Sequence, residues 1–364
     1  MKIQNVVAHL DQLAPPSLQE SYDNSGLLVG DRNKECTGVI VCLDSTEDVI
    51  EEAIAAGCNL VVAHHPIVFS GLKRFTGSDY IERTVIKAIK HDIAIYAIHT
   101  NLDNVKHGVN GVWADALGLK NQKILSPKKG LLKKLVVFVP ESDKDNVLQA
   151  MFEAGAGTIG NYAECSYSGE GNGTFKPLEN ANPYIGEIGK RKVEEESRVE
   201  VLLESFNASK VIAAMKKSHP YEEAAYDLLD LNNVHAEIGA GMIGDLSASV
   251  DAIEWMNRLK TIMKCGVVRY TPLHKSKIKK VAICGGSGSF LLNNAIAQGA
   301  DIFVTGDFKY HQFFDAENKI IIADIGHYES EHLTIDYLVR ILKEKFTTFA
   351  VLLTKVNTNP INYL

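Results

Sequence analysis

Three short apolar runs in this chain end on side chains of the types that can bind metal ions. Asn59-Leu60-Val61-Val62-Ala63 stops at His64-His65-Pro66. Ala94-Ile95-Tyr96-Ala97-Ile98 runs into His99-Thr100-Asn101-Leu102-Asp103. Lys319-Ile320-Ile321-Ile322-Ala323-Asp324 runs into Gly326-His327-Tyr328-Glu329-Ser330-Glu331. Short β-branched runs between helical patterns read as buried parallel strands, and open α/β sheets bind ligands beyond the carboxyl ends of such strands. His327 and Glu331 stand at i and i+4, so a helix starting there carries both on one face. His64 and His65 would diverge inside a strand, but at its end the turning backbone lets both lean into one cleft. His64, His65, Asp103, His327 and Glu331 make a nitrogen and oxygen donor set that suits Zn, Mn, Fe or Ni, not a soft thiolate site. The set exceeds what one catalytic zinc needs, and a bridging Glu331 would serve two divalent ions. Any one of these residues alone is more simply a polar group at a sheet rim; recurrence at equivalent strand ends points to a site.

Other polar groups fall near the same ends. Asp44 and His99 are candidates to orient the ligands by hydrogen bonds. Cys284-Gly285-Gly286-Ser287-Gly288-Ser289 lies between a strand and a helix and is read either as a tight turn or as a loop whose amides, around Gly286 and Ser287, cradle an anion. It fails as a dinucleotide fingerprint because Phe290 and Leu291 follow. Asp307 and His311, again at i and i+4, either line a substrate cleft or cap a helix, with the cap slightly favoured.

The elements that must position these groups form an α/β chain. Ile3, Val6, Val7, Leu10 and Leu13 make a helix face that Pro15-Pro16 ends. Val39 to Leu43 is a strand, Ser45-Thr46-Glu47-Asp48 offers cap hydroxyls and first-turn acids, and Gly57 stops the helix that follows. Composition changes at Ser126-Pro127-Lys128-Lys129-Gly130, and from there the order of patterns is β-α-β-β-α-β, the ferredoxin-like order. The two middle strands are expected on either side of a Gly/Asn-rich stretch, Ser168 to Gly189, with Lys190 to Glu196 a solvated loop and hairpin shoulder. Beyond residue 236 the α/β pattern resumes, with a last strand ending at Asp324 and a helix from Ser330 to Lys345. The expectation is a split three-layer α/β core, residues 1–126 and 236–364, with a ferredoxin-like domain inserted over 127–235.

Composition narrows the class. The chain has 364 residues and a formal net charge of −7, which argues against a broad nucleic-acid surface. Six scattered cysteines without a C-x-x-C pair suit reduced thiols and a cytoplasmic location. No apolar run is long enough for a membrane span.

At these motifs, together with Ser21-Tyr22-Asp23-Asn24-Ser25-Gly26-Leu27 and Thr305-Gly306-Asp307, the chain resembles the NIF-three-like proteins, widely labelled GTP cyclohydrolase 1 type 2 homologues. The resemblance implies a dinuclear metal centre on His64, His65, Asp103, His327 and Glu331, a toroidal homohexamer with inward-facing sites, and an insert similar to the PII/CutA fold. The reading is a metal-dependent hydrolase of a small phosphorylated or nucleotide-like substrate, two divalent ions per chain activating water. The alternative is a metal-binding regulatory or scaffold protein whose insert senses an effector or partner.

Overall fold

The computed structural model describes all residues, Met1–Leu364, as a mixed α/β fold. The chain divides into two compact units, Met1–Pro127 with Glu237–Leu364, and Lys128–Ala236. No helix is long and apolar enough to cross a membrane.

Two sheets carry the first unit. One runs in the order Gly26–Val29, Ala94–Ala97, Leu60–Ala63, Gly38–Cys42, Ala350–Leu353. All its pairings are parallel except that of the edge strand Gly26–Val29. The three middle strands are buried along their whole length, as expected of strands covered on both faces. Cys42 pairs with Ala63 and Ala63 with Ala97, so the carboxyl ends that lead to Asp44, His64 and His99 are level. Helix Ile3–Leu13 buries the predicted stripe Ile3, Val6, Val7 and Leu10 against one face of this sheet. Helix Glu47–Ala55 packs on the other, capped by the Thr46 hydroxyl.

The second sheet has the order Arg269–Tyr270, Ile321–Asp324, Ile302–Gly306, Lys277–Ser287, Gly239–Asp251, Lys120–Pro127. Its three middle parallel strands again end together, Ser287 opposite Gly306 and Thr305 opposite Asp324. Helix Val109–Ala116 joins the two cores: Val109 packs with the first sheet, Trp113 and Ala114 with the second.

Several sequence expectations need correction here. Asp324 does not end the last strand of the chain, because Ala350–Leu353 adds a parallel edge to the first sheet beside Gly38–Cys42. The helix expected from Ser330 is two helices, His327–Glu331 and Leu333–Lys345. Lys120–Pro127 is a strand, so the composition change at Ser126 falls on an element and not on a linker. It pairs antiparallel with Gly239–Asp251, Pro127 opposite Gly239, which brings the two ends of the first unit's chain break side by side.

The second unit is a four-stranded antiparallel sheet in the order Ser166–Phe175, Lys192–Glu204, Leu132–Pro140, Tyr226–Asp230, with helices Lys144–Glu153 and Ala208–Ser218. Alternate residues Leu135, Val137, Val139 and Val199, Val201, Leu203 face Val147, Met151, Val211 and Met215 in one core. Two loop readings fail. Ser168–Phe175 lies in a strand despite its glycines, and Lys192–Glu196 belongs to the partner strand, Phe175 opposite Lys192. A ladder of ten residue pairs outweighs the weak strand preference of Gly and Glu.

Candidate metal centre

The carboxyl ends of both sheets in the first unit meet around one buried carboxylate. Glu331, 3 % exposed, sits in the short helix His327–Glu331 that follows Ile321–Asp324. Its Oε2 accepts from His65 Nε2 at 3.0 Å and lies 3.2 Å from His327 Nε2. Its Oε1 is 3.7 Å from His64 Nε2, which is also 3.7 Å from Asp103 Oδ1. Those last separations are too long for hydrogen bonds, and both His64 Nε2 and Asp103 Oδ1 are shielded from solvent without a hydrogen-bond partner. Two triads emerge, His64-His65-His99 and His65-His327-Glu331, in each of which the ligand atoms lie within 4.8 Å of one another.

The outer nitrogen of every imidazole is anchored. His64 Nδ1 donates to the Ile98 carbonyl at 2.8 Å, His65 Nδ1 to Asp44 Oδ1 at 2.7 Å, His327 Nδ1 to Asp307 Oδ2 at 2.7 Å and His99 Nδ1 to Asp23 Oδ1 at 2.7 Å. This fixes each ring and turns its Nε2 inward, the arrangement by which outer partners set the tautomer of metal-binding histidines. Asp44 is in turn held by the Thr358 hydroxyl, and Asp23 by the backbone and hydroxyl of Thr100.

The electrostatics are those of a site built for positive charge. Burial lowers the His65 imidazolium, but the Glu331 carboxylate and the Asp44 hydrogen bond outweigh it and push its pKa up to about 10. The same balance, with Asp307 in place of Asp44, pushes His327 up to about 11. Burial raises Glu331, yet His327 and His65 hold it well below the carboxylate range. Burial, then repulsion from Glu331, pushes Asp103 upward. Protons therefore fill the centre in the absence of a cation. The inward Nε2 atoms, the unpartnered Asp103 oxygen and the buried Glu331 fit a divalent metal in both donor type and burial.

Gly286, at φ 61°, is required here: a Cβ at this position would stand 2.4 Å from Glu331 Oε1. The anion-cradle alternative for this loop is not built. The Gly285 amide donates to Asn110 Oδ1, Gly286 to Ser330 Oγ and Gly288 to Thr305 Oγ1, so these amides serve the tight turn. Ser287 is exposed and lines the cavity instead. Asp307 caps no helix. It bonds His327, and the helical turn that follows starts at Tyr310, so its i, i+4 relation to His311 has no helix to act through. His311 packs against Tyr310 and Phe314, away from the cluster. Sequence reasoning gave Asp23 no role of its own. It sits remote in sequence, and only its place in the Ser21–Leu27 motif marks it.

A cavity of about 300 Å³ opens on the cluster, with His99, Asp103, His327 and Glu331 in its wall. Tyr22, Phe69 and Phe290, all exposed, rim it, and the Tyr22 and Phe69 rings are 6.3 Å apart.

Two mixed sheets with a histidine–carboxylate cluster at the carboxyl ends of their parallel strands define an α/β fold with one candidate metal centre. The chain belongs to the Duf34/NIF3 (NGG1p interacting factor 3) family, whose profile matches residues 1–360. A relative from Halalkalibacterium halodurans, named GTP cyclohydrolase 1 type 2 homolog, is 41 % identical over 100 % of both chains. One of the same name from Bacillus subtilis is 37 % identical over 99 % of this chain and 98 % of its own. The crystal structure of a Bacillus cereus protein related to NIF3 superposes with a TM-score of 0.87 at 36 % identity, covering 100 % of this chain and 99 % of that one.

Proposed function

We propose that the protein is a dinuclear metal-dependent hydrolase of a small nucleotide-like substrate, with ring opening of a GTP-like base as the candidate reaction. The observation that carries this reading is the convergence of outer-anchored His64, His65 and His327 on buried Glu331, beside an unpartnered Asp103 oxygen. His64, His65, Asp103, His327 and Glu331 would hold two divalent ions. Bound ions of this kind supply Lewis acidity and an activated water near neutral pH. The chain's own groups do the rest. Asp44, Asp307 and the Ile98 carbonyl fix the ligand rings. His99, held by Asp23 and lining the cavity, moves a proton between the reacting centre and solvent. Tyr22, Phe69 and Phe290 offer aromatic faces to a planar base, which favours ring chemistry as the reaction. The names borne by the relatives point to the same chemistry.

The working form on this reading is a closed homohexamer with its clefts inward, which light scattering on the intact chain measures directly. For the centre itself, purified protein should carry more than one equivalent of metal per chain. His64→Ala combined with Glu331→Ala should abolish most of it. Metal-loaded protein should open the ring of GTP, with Asp103→Ala inactive as control. Unchanged metal in the double variant, or turnover that survives in Asp103→Ala, would remove the basis of the assignment.

A further inference from the structure

The second unit contains a cavity of a different character. It has a volume of about 400 Å³ and is lined by Phe138, Phe175, Tyr184 and Tyr221. The Phe175 and Tyr221 centroids are 6.0 Å apart, and those of Tyr184 and Tyr221 6.2 Å. Glu196, Glu222 and Glu223 line the same space. Lys176 is the one cationic residue in the wall against these three carboxylates, so the lining is formally negative. His219 adds no positive charge: its Nδ1 accepts the Tyr221 amide at 3.1 Å, leaving its Nε2 to donate to the Phe138 carbonyl at 2.9 Å. Burial first, then the Glu196 carboxylate, hold the Tyr221 phenol above its ordinary range, so this ring stays neutral.

The carboxylates are placed with some care. Gly173 makes room for Glu196, since a Cβ there would stand 2.0 Å from Glu196 Oε2. Glu222 Oε1 accepts the Asn182 amide at 2.9 Å, which ties the segment bearing Pro183 and Tyr184 over the cavity. Aromatic faces and carboxylates around a largely apolar, half-open cavity attract a cation that gives up its water cheaply. A metal ion does not meet that description: it keeps its water unless several ligand atoms converge, and the convergent groups of this protein all lie in the other unit. An anionic nucleotide would meet like charge.

We infer that this aromatic, carboxylate-lined cavity is a binding site for an organic cation of the alkylated ammonium class. It stands independently of the proposed hydrolase, and it gives the second unit a ligand chemistry opposite in sign to that of a nucleotide. Choline serves as the probe, with its neutral isostere, carbon in place of the ammonium nitrogen, as the control. Calorimetric titration of the full chain should give one equivalent of choline per chain, with the isostere roughly tenfold weaker. Glu196→Gln, which keeps shape and removes charge, should weaken choline roughly tenfold while leaving the isostere unchanged. Tyr184→Ala, at an exposed ring whose loss does not open the core, should weaken choline severalfold. Equal binding of choline and isostere would reduce the cavity to an apolar pocket and overturn the inference. So would the absence of saturable choline binding at millimolar concentration by a chain whose circular dichroism is native. Indifference of choline affinity to both variants would place the ligand elsewhere and overturn it as well.

Discussion

Loading the metal centre should expel protons, and the number follows from the geometry around Glu331. In metal-free protein at neutral pH, His65 and His327, with pKa values pushed up to about 10 and about 11, both carry protons on nitrogens that face the centre. His64 is held by its Nδ1–H on the Ile98 carbonyl, which leaves Nε2 as the atom facing the centre. Ligands bind metal only in deprotonated form, so coordination by both rings displaces about two protons per chain. Asp103, raised by burial and by Glu331, adds to that total. Apparent affinity for Zn²⁺ should accordingly climb about two decades per pH unit around neutrality, and flatten only as pH approaches the raised His65 and His327 values of about 10 and about 11 in the metal-free fold. The assay is calorimetric titration in buffers of differing ionisation enthalpy, where the slope of observed heat against buffer enthalpy counts the protons. Zinc binding with no proton release would show that the ion avoids the inward Nε2 atoms, and the centre as described would be wrong.

The same groups set how stability depends on pH. In metal-free protein the raised imidazoliums of His65 and His327 stabilise the fold fully below their unfolded value of 6.5, and this contribution disappears as pH rises through about 10. Melting temperature of the chelator-treated protein should therefore fall over that alkaline range, and a flat profile would contradict it. Gly286→Ala would drive a Cβ toward Glu331 Oε1 from a left-handed backbone position, so we expect lost metal affinity and about 1–3 kcal/mol of destabilisation, read by metal titration and urea unfolding. Leu10→Ala, at a fully buried position on helix Ile3–Leu13, should cost about 2–5 kcal/mol in urea while leaving metal content at its original value.

What the sequence made legible depended on how local each signal was. Val39–Leu43, Leu60–Ala63 and Ala94–Ile98 announce themselves as strands because burial on both faces demands unbroken apolar runs, and the polar residues that follow are then forced to the sheet's carboxyl edge. That logic found His64, His65, Asp103, His327 and Glu331 and brought them near one another with no knowledge of distance. It could not find Asp23, whose role is to anchor His99 across a sequence separation of 76 residues. Nor could it separate a phosphate cradle from a turn at Gly285–Gly288. The difference lies in Asn110, Ser330 and Thr305, three side chains from three other elements that consume the amides.

The strand segments that were read as loop share a physical cause. Ser166–Phe175 is rich in glycine and mostly exposed, and the first five residues of Lys192–Glu204 are Lys, Val and glutamates; neither has the apolar content that marks a strand from its own residues. Their conformation is dictated by a partner, through a ladder from Ser166 opposite Val201 to Phe175 opposite Lys192. Ladder hydrogen bonds are indifferent to side-chain type, so a sequence that pays no packing return can still be held extended. That freedom has a consequence for function. Positions in these strands that owe nothing to the core are open to other uses, and Gly173, Phe175 and Glu196 spend it on the wall of the carboxylate-lined cavity. Loss of apolar periodicity over Ser168–Glu196 therefore marks the stretch where the chain builds a binding surface on a scaffold that Leu135, Val137, Val199 and Val201 already hold together.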